Sequence, residues 1–175
     1  MGHIDLRFAD ETAFNLVPNV PYGWMRKGEQ KGIPSQKGGN LNLFGLLNLK
    51  GDLTTYQTTR KVDSLTIIEW LDDFAHTIKI LTVVVIDNAP WHRADKVIEK
   101  IKEWEELGLF IVYLPPYSPH LNLIEILWRK IKYEWLKPSD FESKEALHKA
   151  INHIIKNYNS NEFNIEFDIE TKLFD

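Results

Sequence analysis

The sequence predicts an α/β domain in which a mixed central sheet is flanked by helices. Two observations lead to this class: the first part of the chain contains several β-prone runs, and the later part alternates apolar strands with amphipathic helices. The 175 residues, of which 43% are hydrophobic, suffice for a single domain with a continuous core. We assign that domain to residues 1–159 and leave residues 160–175 as a tail without an assigned structure.

The first elements are predicted to be strands. Residues 3–14 alternate apolar and polar side chains, as a half-buried strand does, and Asp10 is expected late in that strand. Residues 22–28 predict a short second strand. Two further β-prone runs flank a Lys-Gly-Asp turn at residues 50–52, a pattern that indicates an antiparallel hairpin.

Helices and buried strands alternate in the rest of the chain. The apolar runs LTVVVI and LFIVYLP predict strands that are covered on both faces. Helical spacing of apolar residues also points Leu65, Ile98, Trp104, Trp128 and Trp135 inward. The same spacing predicts four helices, which are Ser64 to His76 with Ser64 as N-cap, a second helix that Gly108 ends, a third from about Asn122 that Pro138 ends, and Glu142 to Tyr158.

Composition restricts the class of protein. No apolar run approaches the ~18–20 residues of a membrane helix, and the first residues do not form a signal peptide. The chain has no cysteine, which excludes a disulfide framework and a thiolate metal site. We therefore expect a cytoplasmic protein that does not bind membranes.

The net charge of −4 bears on nucleic-acid binding. A protein that binds DNA over a wide face normally has a surplus of basic residues, because it must neutralise phosphates. Two explanations remain open: a separate domain grips the DNA, or a few basic segments form the DNA face. Those segments are Arg26-Lys27, Arg60-Lys61 and Arg129-Lys130-x-Lys132.

Three acidic residues are candidates for a metal site. Asp10 lies in the first predicted strand, Asp87 ends the most apolar strand, and Glu125 lies in the first turn of the following helix. Ligands of α/β sheets bind at strand ends, so neighbouring strands would bring Asp10 and Asp87 to one cation. Magnesium prefers hard carboxylate oxygens, and a pair of such ions can catalyse phosphoryl displacement without a protein nucleophile.

Each of these residues also has a purely structural interpretation. Asp10 can belong to a turn, and Asp87 with the asparagine after it can stabilise an ordinary strand-to-helix connection. Asn122 and Glu125 resemble a capping box, and Glu125 and Arg129 have the spacing of a helical ion pair. Taken singly, no carboxylate favours catalysis over these interpretations.

A second group of polar residues near the same rim could contact the DNA backbone. A histidine in the first turn of a helix is more often a surface residue, and the polar residues after the two prolines also suit a turn with no role in binding. The candidates for DNA contact are His92, Tyr117, Ser118, Asn122, Arg129, Lys130 and Lys132.

Three sequence blocks together resemble the mariner superfamily of DDE transposases, and most closely its bacterial insertion-sequence branch. The blocks are FADETAF around Asp10, VVVIDNAPWH around Asp87 and LPPYSPHLNLIEILWRKIK around Glu125. The last block is the most specific, because it is long and follows the second in the family's order. The resemblance covers roughly residues 8–136.

This resemblance implies a ribonuclease H-like fold and an enzyme that cleaves and transfers DNA strands at transposon ends. It makes Asp10, Asp87 and Glu125 the ligands of two Mg²⁺ or Mn²⁺ ions, with 37 residues between the second and the third. It further implies double-stranded DNA as partner, a homodimer as a candidate assembly and association with the bacterial nucleoid. Leu123 departs from the family, which commonly has proline at this position.

Members of the family usually have helix-turn-helix domains before the catalytic domain, whereas this sequence begins close to the first catalytic strand. We therefore expect a separate domain to recognise transposon ends. Two alternatives to a transposase stay open: an inactive or domesticated DNA-binding module, and a ribonuclease H-type nuclease. A sugar- or nucleotide-binding domain is not supported, because no glycine-rich phosphate loop follows a strand.

Overall fold

A five-stranded mixed sheet forms the centre of the protein. The structure, a computed structural model, describes residues 4–18, 26–28, 38, 40–116 and 118–165. Within these ranges the strands are β1 (Asp5–Phe14), β2 (Leu41–Asn48), β3 (Leu53–Thr58), β4 (Thr82–Ile86) and β5 (Leu109–Tyr113). Their order is β3-β2-β1-β4-β5, antiparallel from β3 to β1 and parallel from β1 to β5. The predicted mixed sheet and the hairpin are confirmed, while most of the strand expected at residues 22–28 lies outside the described residues.

Four α-helices of the described ranges pack against this sheet: α1 (Ser64–Ala75), α2 (Asp95–Glu106), α3 (Ile124–Lys130) and α4 (Lys144–Lys156). The N-cap of α1 is Asp63 and not Ser64, because the Asp63 side chain accepts a hydrogen bond from the backbone N–H of Thr66 at 3.0 Å. Gly108 follows α2 with a φ of 89°, as predicted for a residue that ends a helix.

The third helix is shorter than its apolar spacing predicts. Regular α-helix ends at Lys130, and Ile131–Trp135 form a wider π-helical turn. The backbone N–H of Leu136 donates to the carbonyl of Ile131 at 3.1 Å, which closes this turn. Apolar spacing did not reveal it, because an α-turn and a π-turn bury similar positions over one turn.

Side chains alternate between two cores, one on each face of the sheet. Phe8 of β1 and Leu43 of β2 pack against α3 and α4, whereas Ala9 of β1 and Phe44 of β2 pack against α1 and α2. This alternation decides which catalytic candidates can meet. The largest side chains confirm the helix predictions in part: Trp104 and Trp128 are buried and Trp135 is half-buried, but Leu65 and Ile98 are exposed.

The folded part of the chain continues past the boundary expected at Asn159. Phe163 is buried against the core beside α3 and α4, and its ring lies edge-on to Trp135 with the centroids 5.4 Å apart. Its carbonyl accepts a hydrogen bond from the backbone N–H of Asn159 at 2.8 Å. Residues 166–175 lie outside the described residues.

No helix in the described ranges has the length and apolar character needed to cross a membrane.

Candidate active site

Asp10 of β1 lies level with Asp87, the residue that directly follows the parallel strand β4, when the pairing of the two strands is extended by two residues. Phe8 of β1 pairs with Val85 of β4. Asp10 and Asp87 each lie two residues further along the sequence, so the same register brings them side by side. Phe8 and Val85 both pack against the core beside α3, and the alternation therefore turns Asp10 and Asp87 toward that helix. Asp10 is in the middle of β1 and not late in it, but it lies just beyond the last paired residues of β4.

Glu125 approaches the two aspartates because α3 packs unusually close to the sheet. Gly45 of β2 is the direct partner of Asp10. A Cβ atom at Gly45 would lie 2.6 Å from Cδ1 of Ile124 and 2.8 Å from two ring carbons of Trp128, so no other residue fits beneath α3 without a shift. Glu125 follows Ile124 directly, in the first turn of the helix.

Two clefts meet at Glu125. The larger, about 450 Å³, is lined by Asp87 and Glu125 together with Ser118 and the two prolines after β5. The smaller, about 220 Å³, is lined by Asp10 and Glu125 with basic and aromatic residues of α3 and the π-helical turn. Glu125 thus borders both clefts, between the two aspartates. Among the described residues, no three histidine, aspartate or glutamate side chains are close enough as they lie to hold one ion.

The charges of these carboxylates influence one another. Burial, together with the negative charges of Glu11, Asp87 and Glu125, raises the pKa of Asp10 to about 8. Burial also raises the pKa of Glu125, against the opposing effect of Arg129. The three carboxylates therefore lie within one another's electrostatic field and form a rim that a cation would stabilise.

His92 links the carboxylates of two strands. Its Nδ1 lies 2.7 Å from Oδ1 of Asp87 and its Nε2 lies 2.9 Å from Oε1 of Glu11. The side chain is only 1% exposed. Burial lowers the pKa of His92, but the hydrogen bonds and charges of Asp87 and Glu11 outweigh it and raise the pKa to about 9. The hydrogen bond from His92 in turn holds the pKa of Asp87 below its usual value.

A family model described as "DDE superfamily endonuclease" matches residues 5–148, which include all three carboxylates. The chain belongs to the DDE superfamily endonucleases. The predicted enzyme class is thereby confirmed at the level of this superfamily, while the finer placement in the bacterial insertion-sequence branch stays a prediction.

Solved structures of a transposase and of an integrase share the fold. The Mos1 transposase paired-end complex with the left transposon end superposes with a TM-score of 0.63 at 18% identity, over 91% of this chain and 49% of that chain. The catalytic core domain of BIV integrase has a TM-score of 0.51 at 16% identity, over 94% of this chain and 90% of that chain. The predicted ribonuclease H-like fold is confirmed.

One curated relative is similar in sequence. The uncharacterized protein y4pE/y4sA of Sinorhizobium fredii (strain NBRC 101917 / NGR234) is 35% identical over 77 residues, which are 44% of this chain and 49% of that protein. The matched segment spans about half the length of this relative, and this chain covers about half the length of the Mos1 transposase chain.

Two residues that we predicted to contact DNA are buried inside the DDE domain. His92 is enclosed between Asp87 and Glu11 and does not reach a phosphate from that position. Asn122 is 2% exposed, and its Nδ2 donates to the backbone carbonyl of Ala9 at 3.0 Å. It joins the start of α3 to β1, and no side-chain hydrogen bond caps this helix. The capping-box interpretation is therefore wrong.

The other predicted DNA contacts are spread around the two clefts. Ser118 lines the larger cleft, and Arg129 and Lys132 line the smaller one. Burial lowers the pKa of Lys132, whose Nζ lies 5.5 Å from the centre of the Phe14 ring. Lys130 instead forms an ion pair with Glu134. Tyr117 lies outside the described residues.

Sequence reasoning missed Glu11 and Gly45. Glu11 directly follows Asp10, so the sequence already showed a second carboxylate on the same strand. Its side chain points to the opposite face of the sheet from Asp10, and its contact with His92 is visible only in the structure. Gly45 lies in the middle of a strand, where glycine is unfavourable, and this was the signal of a close approach by another element.

Proposed function

We propose that this chain is the catalytic domain of a DDE transposase, which cleaves DNA at transposon ends and transfers the freed strands into target DNA. The observation that supports this most is the placement of Asp10 on β1 beside Asp87 at the end of the parallel strand β4, both on the side of the sheet where α3 presents Glu125. Three carboxylates at one sheet rim, open to two clefts, suit a phosphoryl-transfer site that needs no protein nucleophile.

The donor set fits divalent cations of the magnesium type. Carboxylate oxygens are the hard ligands that Mg²⁺ and Mn²⁺ prefer, and the raised pKa of Asp10 reflects negative charge that a cation would offset. When bound, a pair of such ions would activate the attacking hydroxyl and stabilise the leaving oxygen of the phosphodiester. Structures of the mariner Mos1 paired-end complex are described with Mn and with Mg.

We assign a separate task to each residue of the site. Asp10 and Asp87 hold the cations from the sheet, and Glu125 completes the ligand set from α3. Oδ1 of Asp87 accepts hydrogen bonds from His92 and from the backbone N–H of Ala89 at 2.9 Å, so Oδ2 is the oxygen that we assign to a cation. Small rotations of these side chains would draw the ligands together. Arg129 and Lys132, beside the smaller cleft, would contact the DNA backbone.

We further propose that the partner is double-stranded DNA, and that recognition of transposon ends depends on a domain outside this one. The basic residues of the DDE domain suit only sequence-independent contacts with phosphates, which weaken as salt rises. The assembly that we favour is a homodimer that holds a pair of transposon ends. The solved Mos1 structure is a paired-end complex with a transposon end.

The first experiment is a calorimetric titration of the purified chain with manganese. The wild type is compared with a triple variant, Asp10→Ala, Asp87→Ala and Glu125→Ala, and with a control that loses three exposed carboxylates elsewhere, Asp52→Ala, Glu99→Ala and Glu105→Ala. We expect binding to disappear only in the first variant. Equal binding by the wild type and the site variant would overturn the assignment of the ligands.

A cleavage assay with added DNA distinguishes the remaining functions. Cleavage of DNA duplex, followed by strand transfer, supports the transposase. Preferential cleavage of the RNA strand in an RNA–DNA hybrid would instead indicate a ribonuclease H-type nuclease. Metal binding without any cleavage would indicate an inactive module.

A further inference from the structure

Trp91 presents an indole ring to solvent beside the carboxylate rim. Its relative exposure is 43%, whereas the other tryptophans in the described part of the chain are buried or half-buried. It lies four residues after Asp87, at the edge of a groove of about 400 Å³. This groove, which we call the Trp91 groove, is lined by Glu11, Asn40, Asn42, Lys61 and Trp91, among others.

The indole ring is fixed in its exposed position. Nε1 of Trp91 donates to Oε1 of Glu11 at 2.7 Å, and the same oxygen lies 2.9 Å from Nε2 of the buried His92. The ring of His92 also meets Trp91 edge-on, with the centroids 5.9 Å apart and the planes at 74°. Because its N–H group is already bonded, Trp91 offers a partner mainly the face of its ring.

The groove lies across the sheet rim from Glu125. Asp10 and Glu11 are adjacent in β1, so their side chains point to opposite faces of the sheet. Asp10 faces α3, and Glu11 faces the side of α2, where it holds Trp91. If a DNA strand crosses the rim with its reactive phosphate at Asp10 and Asp87, the nucleotides next to that phosphate would therefore lie in the Trp91 groove.

The lining of the groove matches the parts of a nucleotide. An exposed indole face stacks on any base, the side-chain amide of Asn40 suits a base edge, and the ammonium group of Lys61 suits a phosphate. The amide of Asn42 lines the groove but already donates to the backbone carbonyl of Arg60 at 2.7 Å. An apolar protein segment would instead leave these polar groups without water, which is unfavourable.

We propose that the Trp91 groove binds an unpaired nucleotide of the DNA strand next to the cleavage position, with its base stacked on Trp91 and a phosphate paired with Lys61. The choice of DNA as ligand rests on the proposed function, but the binding itself requires neither the metal ions nor catalysis. Such a site would hold the strand open beside the carboxylates and would favour DNA with unpaired or easily unpaired bases at that position.

The test measures binding of fluorescently labelled oligothymidylate to the full chain in EDTA, by anisotropy. We expect Trp91→Ala to weaken binding by about 5- to 100-fold, which corresponds to the stacking of one base, and Trp91→Phe to retain most of it. Lys61→Ala should weaken binding less than Trp91→Ala does. It should also reduce the slope of log affinity against log salt by about one, the value for one lost phosphate contact. Ile98→Ala, which removes an equally exposed apolar side chain from α2, is the control and should change nothing.

Two results would overturn the proposal. One is equal affinity of the wild type and Trp91→Ala for oligothymidylate. The other is an equal effect of Trp91→Ala on oligothymidylate and on a blunt duplex, since an unpaired base would then not be the ligand. Neither result depends on cleavage, so failure of the proposed function would appear separately, as a wild type that binds oligothymidylate through Trp91 but cleaves no DNA.

Discussion

Nδ1 of His92 lies 2.7 Å from Oδ1 of Asp87, and through its other nitrogen the same ring contacts Glu11 on the neighbouring strand. One imidazole thus links the middle of β1 to the end of β4 and orients a carboxylate that we assign to a cation. Partners of this kind orient metal ligands, and their loss typically costs metal affinity or activity.

Replacement of His92 should therefore weaken the metal site without removing a ligand. We expect His92→Ala to lower manganese affinity or the cleavage rate by about 10- to 100-fold. Higher manganese should restore part of the cleavage. The measurement is the manganese dependence of the cleavage rate, with His76→Ala, which removes an exposed imidazole at the end of α1, as the control. An unchanged manganese dependence in folded His92→Ala would contradict this role.

The three carboxylates should be indispensable for cleavage but not for folding. Asp87→Asn and Glu125→Gln keep the size and shape of each side chain and remove only its charge, so a cation would be held poorly. We expect each variant to lose DNA cleavage and to stay folded. The urea midpoint of Glu125→Gln should be close to that of the wild type, and that of Asp87→Asn lower, because the latter weakens the pair with His92. Unchanged cleavage in either purified variant would remove that residue from the catalytic site.

Gly45 should be intolerant of any side chain because α3 rests on it. Gly45→Ala introduces a methyl group 2.6 Å from Cδ1 of Ile124, so the helix must move outward. Overpacking of this kind costs roughly 1–3 kcal/mol of the free energy of unfolding, and the displacement should separate Glu125 from Asp10 and reduce cleavage. Urea unfolding and the cleavage rate per folded molecule measure the two effects.

A matched control distinguishes loss of stability from displacement of α3. The hydroxyl of Ser143 accepts a hydrogen bond from the backbone N–H of Ala146 at 3.1 Å and caps α4, away from the carboxylates. Ser143→Ala should cost about 1 kcal/mol and leave the cleavage rate per folded molecule unchanged. A similar loss of cleavage in both variants would show that Gly45 matters only for stability.

Asp10 should make the metal-free domain lose stability as the pH rises from the usual aspartate pKa of 3.8 to about 8. Burial and the charges of Glu11, Asp87 and Glu125 raise its pKa to about 8 from 3.8, so the folded state keeps a proton that the unfolded state has lost. The free energy of unfolding therefore falls as pH rises through this interval. In EDTA, Asp10→Asn should be more stable than the wild type by about 1–3 kcal/mol near pH 8 and similar to it near pH 4.

Saturating manganese should reverse this order, because a cation bound only by the folded wild type adds to its stability. The measurement is urea unfolding at both pH values, with and without manganese. If the wild type is more stable than Asp10→Asn near pH 8 in EDTA, the charge repulsion assigned to Asp10 is contradicted.

The sequence by itself determined the fold class and the candidate carboxylates. A period of two residues in β1, the apolar run of β4 and the helical spacing after Asn122 reflect local burial, which one chain segment reveals without its neighbours. Asp87 and Glu125 were therefore placed correctly at the end of a strand and at the start of a helix. Helix bounds were less certain, as the π-helical turn and the Asp63 cap show, because they depend on individual hydrogen bonds.

Only the tertiary structure decided how these residues meet. Asp10 and Asp87 are 77 positions apart in number, and they become neighbours because β4 pairs with β1 across an intervening hairpin and helix. Sequence reasoning favoured the surface for His92, whereas the structure encloses it between Asp87 and Glu11. Gly45 in β2 is explained only by the close packing of α3 on it. The physical reason is that periodicity records only whether a residue is buried, whereas distances within a site depend on which strands pair and how closely a helix can approach them.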